Sequence, residues 1–495
     1  MMRTNLIRAV ALAWAALGLS ACGSSGGGSA PTTSGNSSQS STSAISSSSS
    51  VASSEGSSSS ASSNTSSAGS SLTAIIPNAA SNGTPYCRYS EADNGWGWEN
   101  SHNCVVYQSA ADPGIGEFDH CKVGAEEIAY CDSGDSDWQI NGNQVCIARN
   151  FCPGNSAKTQ TSLSPELVTP EASETAQQVF TYLHSIWGEK MLSGQMDLTW
   201  ADDVDMHQRV LDDTGKSPAI MGYDFMNYGA YTYGSGLTQT EEAIEYWNQG
   251  GLVTFAWHWR DPSGETKNFY ASQDDASKNA AFTIPVANGE LDTTSEAFTA
   301  LERDVDLIAG ELQKLENAGV PVLWRPLHEA AGGWFWWGRA RTDGVPAGYA
   351  QTLLWRYMFQ RLTEHHGLDN LIWVWNGQNA IWYPGDDVVD IVSTDIYDGE
   401  RNYESQKTLY EVTKAYPHRE KMVALSENSN IPDPDAMAAD NAWWLWFMVW
   451  NDGALDTMDD HSNNFWTGEY YNTDAHKKHV YEHELVITRD ELPEF

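Results

Sequence analysis

No cysteine follows Cys152 in this chain of 495 residues. The long C-terminal part must therefore be held by packing and backbone hydrogen bonds, without disulfides or thiolate metal sites. Basic residues are also scarce: 27 Lys and Arg stand against 66 Asp and Glu, for a formal net charge of −39. That balance repels nucleic acid and anionic lipid and favours neutral or cationic partners, although acidity serving solubility alone gives the same figure. No apolar run reaches the roughly 20 residues of a membrane-spanning helix. There is no H-E-x-x-H, no C-x2-C pair and no G-x-G-x-x-G after the first candidate strand. Zinc-protease, zinc-ribbon and dinucleotide signatures are thus missing, and neither a metal nor a cofactor is expected.

Tryptophan, by contrast, is abundant, with 22 residues. A core rarely needs so many, and an exposed indole suits flat apolar faces such as those of sugar rings. The chain starts MMRTNLIRAVALAWAALGLSAC, with Arg3 and Arg8 before a short apolar stretch and Ala21 before Cys22. These are the parts of an export signal over 1–22. LSAC resembles a bacterial lipobox, and neither residue after Cys22 is Asp, which in such signals points to the outer membrane. The resemblance implies lipidation at Cys22 and a place on the outer-membrane surface, the anchor being the only membrane contact. Release into the medium is the alternative. Residues 23–81 are largely Ser with Gly, Thr, Asn and Ala, a composition that buries nothing and reads as a flexible tether.

Six cysteines crowd between Cys87 and Cys152. In an exported chain they read as three disulfides stapling a small β module over 82–154, with metal binding as the lesser alternative. The module holds a degenerate repeat, NGWGWENSHNCVV at 94–106 and DWQINGNQVCIARNFC at 137–152. The pattern resembles a family 10 carbohydrate-binding module, which implies crystalline cellulose as a ligand. Trp96 and Trp98 alternate along a strand and so share one face. They are the candidate binding residues, unless they fill the core of the small fold. The second copy has Gln139 and Ile140 where the first has Gly-Trp.

After a second polar linker, 155–171, short apolar runs alternate with amphipathic helices. The strand candidates are KMLSGQMD, PAIMGYDF, GLVTFAWHW, VPVLWRPLHE, NLIWVWNGQ, VVDIVSTDIYD, KMVALSEN and AWWLWFMVWND. Between the third and fourth, apolar residues from Phe298 to Leu315 recur at helical spacing behind a Thr293–Glu296 capping box and stop at Gly319. Continuous apolar strands alternating with helices predict a parallel sheet covered on both faces. Eight such units over 172–490 predict an α/β fold, a (β/α)8 TIM barrel, in preference to a doubly wound sheet.

A barrel carries its chemistry at the carboxyl ends of its strands. Those ends hold His258, His328-Glu329, Asp395 with Tyr397, Glu427 and Trp450. Glu329 and Glu427, on the fourth and seventh strands, face each other across the mouth. A retaining glycosidase needs such a pair about 5–5.5 Å apart, one carboxyl attacking and the other transferring protons. Arg325 is placed to keep one of them ionised, with Leu327 and Glu329 on its face and His328 turned away. Tyr397 is placed to donate to the nucleophile. Bland readings remain open for each: a helix cap for the acids, a satisfied buried histidine for His258, core packing for WFWWG.

RPLHEAAGGWFWWG (325–338), YPGDDVVDIVSTDIYD (383–398) and ALSEN together resemble glycoside hydrolase family 26, whose members are typically β-mannanases. The resemblance covers 172–490. It implies Glu329 as acid/base, Glu427 as nucleophile, and His258, His328, Trp334 and Tyr397 as substrate contacts. Asp395 is expected to touch substrate or support a group that does, and Trp450 is a candidate sugar platform. The implied activity is retaining, internal cleavage of β-1,4-mannan, glucomannan or galactomannan by a monomer. Mixed-linkage β-glucan or β-1,3-xylan is the alternative substrate, and a non-catalytic glycan-binding lipoprotein is the alternative class.

Overall fold

The computed structural model describes residues 78–495 apart from 91–93, 124–125, 132–136, 142–143, 153–159, 202–203, 232, 274 and 453–463. The export signal, Cys22 and nearly all of the Ser-rich tether lie outside the described residues.

Three antiparallel hairpins make up the cysteine-rich module. They are β1 (Trp96–Glu99) with β2 (His102–Val105), β3 (His120–Val123) with β4 (Glu126–Ala129), and β5 (Trp138–Asn141) with β6 (Gln144–Ile147). Isolated hairpins are marginal in water, and disulfides Cys87–Cys104, Cys121–Cys152 and Cys131–Cys146 tie these together. Ala79 and Ala80, expected as tether, are fully buried and bridge to Pro85 and Ile115. Trp96 and Trp98 are 44% and 50% exposed, so they do not fill the core of the module.

Seven parallel strands form the main sheet in spatial order β7 to β13. They are β7 (Gly194–Met196), β8 (Ile220–Asp224), β9 (Leu252–Ala256), β10 (Val322–Arg325), β11 (Leu371–Trp375), β12 (Ile391–Ile396) and β13 (Met422–Asn428). The eighth expected strand, 442–452, is joined by isolated bridges and not by a continuous ladder, and at Met448 the N–H goes to the Asn428 side chain. Its backbone nevertheless joins both edges: Val449 bridges to Gln195 and to Asn428. The ring therefore closes. Gly194 permits this, since a Cβ there would sit 2.3 Å from the Phe447 carbonyl oxygen.

Outside run α1 (Glu174–Ile186), α2 (Met206–Thr214), α3 (Gln239–Asn248), α4 (Glu296–Asn317), α5 (Ala347–Gln360) and α6 (Lys407–Lys414). In α4 the residues Phe298, Leu301, Val305, Ile308, Leu312 and Leu315 are all buried. Its cap differs from expectation: Ser295 accepts from the Phe298 N–H, so the cap lies two residues beyond Thr293. One apolar layer takes Ile220, Leu252, Leu323, Ile372, Ile391 and Met422 from successive strands, with Phe180 and Leu183 of α1 against it. Residues 160–171, read as linker, are fastened to the barrel: Thr169 Oγ1 donates to the Leu371 carbonyl and the Val168 N–H to Asp390. Between β11 and β12 there is no α-helix, only the 3₁₀ turns Ala380–Trp382 and Asp386–Val388.

Candidate active site

The fourth strand ends earlier than its sequence suggests. Pro326 has no N–H for the ladder, and β10 stops at Arg325. Beyond it Leu327 and Glu329 adopt left-handed backbone, φ 53° and 52°. Strand alternation therefore fails here, and the expectation that His328 turns away from the site is corrected: its Nε2 lies 3.1 Å from His258 Nε2. Left-handed backbone at a residue other than glycine costs roughly 1–3 kcal/mol and persists where neighbours over-determine it. The Glu329 N–H is held by the Asn376 carbonyl at 2.7 Å and the Ala331 N–H by Gly377 at 3.1 Å, both from the loop after β11.

The remaining predicted residues converge on this point. One carboxylate oxygen each from Glu329, Asp395 and Glu427 lies within 4.8 Å of the others. Arg325, its side chain 2% exposed, donates to Glu427 and reaches Asp395 at 3.4 Å. Tyr397 O–H donates to the other oxygen of Glu427 at 2.6 Å. Trp334 stands half-buried and donates its indole N–H to Glu329 at 2.8 Å. Its ring packs so close to Gly332 that a Cβ there would lie 2.1 Å from it. Trp336 and Trp337, by contrast, are core, donating to the carbonyls of Trp259 and His328. Trp450 packs beside His258 with ring centroids 5.8 Å apart.

Several residues that complete the site were missed in the sequence. Asp224, at the end of β8, accepts from both the backbone N–H and Nδ1 of His258. Its position at a strand end was the available clue. Asn376 and Ser426 both donate to Asp395 Oδ1, each at 2.7 Å. Phe269 lies on the long 260–292 loop. Its carbonyl takes the Trp336 N–H, and the Ala271 N–H donates to Trp334, so the loop clamps the tryptophan-rich turn.

The electrostatics separate the two glutamates. Burial pushes Glu329 well above the usual carboxylate range, the charges of Asp395 and Glu427 push it further, and a hydrogen bond shared with Asp395 favours its protonated form. Burial and then Asp395 raise Glu427 to about 7, against the pull of Arg325, His258 and Tyr397 toward the ionised form. Both carboxyls are thus raised, but only Glu427 has a guanidinium and a phenol favouring its anion, so Glu329 is the one that keeps its proton. His328 is pushed well below its ordinary value by burial, then by His258 and Arg325, and is neutral.

A carboxyl whose folded pKa exceeds its unfolded one loses stability as pH rises through that window. Glu329→Gln is therefore expected to raise the thermal midpoint at pH 7 by about 2–4 °C. At pH 4, where Glu329 is protonated folded or unfolded, the gain should vanish. Melting curves at the two pH values check this, and a gain equal at both would contradict the assignment.

Among the described residues, two further clusters bring together metal-ligand types. Cys87, Glu99 and Cys104 include a disulfide, and Asp435, His479 and His483 lie toward the surface. In the carboxylate trio the positive charge comes from Arg325.

A parallel barrel with two buried carboxyls of unequal proton affinity at its mouth defines the class: a glycoside hydrolase scaffold. The chain belongs to glycosyl hydrolase family 26, whose model matches residues 168–491. It is 38% identical over 340 residues to a mannan endo-1,4-beta-mannosidase of Thermothelomyces thermophilus, covering 67% of this chain and 64% of that one. Mannan endo-1,4-beta-mannosidase B of Piromyces is 35% identical, over 69% of this chain and 56% of its own. This chain thus spans less than two thirds of these curated relatives. Among solved structures, the GH26-CBM35 beta-(1,4)-mannanase of Podospora anserina superposes with TM-score 0.57 and 36% identity, covering 70% of this chain and 71% of that one. A beta-mannanase from a symbiotic protist of the termite Reticulitermes speratus, complexed with gluco-manno-oligosaccharide, gives 0.57 and 31%, covering 68% and 99%.

Proposed function

We propose that this chain is a retaining endo-β-1,4-mannanase. The carrying observation is the separation of at most 4.8 Å between carboxylate oxygens of Glu329 and Glu427. That gap is below the roughly 6.5–9.5 Å of inverting enzymes and suits a covalent glycosyl-enzyme intermediate. Glu427 attacks the anomeric carbon, its charge concentrated by Arg325 and oriented by Tyr397. Glu329 gives its proton to the departing oxygen, then takes one from the water that cleaves the intermediate. Trp334, bonded to Glu329, lines the cleaved sugar, and Trp450 and His258 extend the floor. Mannan as the polymer is supported by the names of the curated relatives.

The exposed pair Trp96 and Trp98 supports a carbohydrate-binding role for the small module, with crystalline cellulose as its ligand. The lipobox supports an outer-membrane anchor through Cys22.

Reducing-sugar release from purified galactomannan, glucomannan, mixed-linkage β-glucan and β-1,3-xylan tests the reading. Release from the two mannans should dominate. Preferential release from either of the others would change the polymer while keeping the mechanism, and release from none would favour a binding protein. Retention on insoluble cellulose should weaken in Trp96→Ala/Trp98→Ala, and unchanged retention would remove these indoles from binding.

A further inference from the structure

The crossover from β11 to β12 carries no outer helix, yet Ile381 within it is fully buried. The small module covers this sector. Trp138, in the second copy of the repeat, donates its indole N–H to the Ile381 carbonyl at 3.1 Å and packs on Tyr349 at 5.5 Å. Glu126 accepts from the Ala347 N–H at 3.0 Å, and Asp137 pairs with His418 at 2.7 Å. The second copy and the β3–β4 hairpin thus dock on the barrel.

The first copy reaches the loop that holds Glu329. Asn100 and Ser101 form the two-residue turn of the β1–β2 hairpin, both left-handed at φ 54° and 59°. Asn100 accepts from the Ala380 N–H through its side chain at 3.0 Å and from Asn379 Nδ2 through its carbonyl at 2.9 Å. Ser101 Oγ donates to the Gln378 carbonyl at 3.2 Å, where Gln378 itself is left-handed at φ 58°. Gln378 Nε2 donates to Asn376 Oδ1 at 2.9 Å, and Asn376 in turn donates to Asp395 and accepts from the Glu329 N–H. A continuous chain of hydrogen bonds therefore runs from the hairpin turn to the acid/base and its carboxylate partner.

We propose that the module is a fixed part of the catalytic site, and that Asn100 is a positioning residue for Glu329, acting through the 376–380 loop. The inference rests on the glycosidase reading above. It separates the module from a tethered anchor, whose attachment would leave the chemistry unchanged.

The effect of loosening the loop should depend on the leaving group. A sugar hydroxyl leaves only with a proton from Glu329, whereas a dinitrophenolate leaves without one. Asn100→Gly/Ser101→Gly keeps the left-handed turn and removes both side-chain contacts. In the full chain, kcat/KM on β-1,4-mannotetraose is expected to fall about tenfold, since small misplacements of a catalytic group are costly. On 2,4-dinitrophenyl β-mannobioside kcat/KM should stay within about twofold of wild type. A partly unfolded variant would lose both equally. Asn100→Asp alone, which keeps the acceptor oxygen, should retain wild-type values on both substrates. Equal losses on the two substrates, or no loss on either, would overturn the inference while leaving the glycosidase reading intact. A wild type inactive on both substrates would overturn that reading and the inference with it.

Discussion

Glu427→Ala is expected to abolish turnover of mannan, by on the order of 10⁴- to 10⁶-fold in kcat, the scale of removing a nucleophile that acts within a unit. Glu427 is buried and carries the charge that Arg325 and Tyr397 converge on. Removing it leaves no anion to form the glycosyl-enzyme bond. It also leaves a small cavity next to a guanidinium, and azide should fit there. In 1 M azide the variant should release a glycosyl azide of configuration opposite to the substrate, because azide then attacks once from the nucleophile's side. Nuclear magnetic resonance of the product reads the configuration. Azide incorporated with retained configuration would reassign Glu427 to the proton-transfer role.

Glu329→Ala should be the second largest effect, about 10²- to 10⁴-fold on mannan, the range of general acid catalysis. Here the signature is its dependence on the substrate. With a dinitrophenyl glycoside the first step needs no proton, so kcat/KM should approach that of wild type. The glycosyl-enzyme should then accumulate, because no base activates water. A burst of dinitrophenol followed by slow turnover is the expected trace, and azide should raise the slow phase with retained configuration. A loss equal on mannan and on the activated glycoside would mean that Glu329 supports the site without transferring a proton. The two variants together make the assignment reciprocal, since each predicts the azide stereochemistry that the other forbids.

The alternation of apolar runs and amphipathic stretches made the barrel legible, because a strand buried on both faces has to be apolar throughout. The Phe298–Leu315 stripe is buried as its spacing required. That Glu329 and Glu427 come together was legible for a related reason, acids at strand ends being few and converging at the mouth of a barrel. His328 was misplaced because alternation was carried past Pro326, where the strand has already ended. Asp224, Asn376 and Ser426 went unnoticed, since short polar residues at strand ends look like ordinary caps until a partner is seen. The second repeat gave no hint that Trp138 would dock on the barrel, because an indole that binds sugar and one that packs on protein read the same.

The sequence by itself determined the alternation of strands and helices, which six cysteines form the framework and which two acids face each other. Burial, periodicity and strand-end position are properties of neighbours in the chain. Tertiary structure alone decided which cysteine bonds to which, which acid keeps its proton, and that the hairpin turn at Asn100 supports the loop behind Glu329. Pairing depends on how the hairpins of the small module pack, while proton affinity and support depend on distances between residues far apart in sequence, which exist only once the barrel has closed.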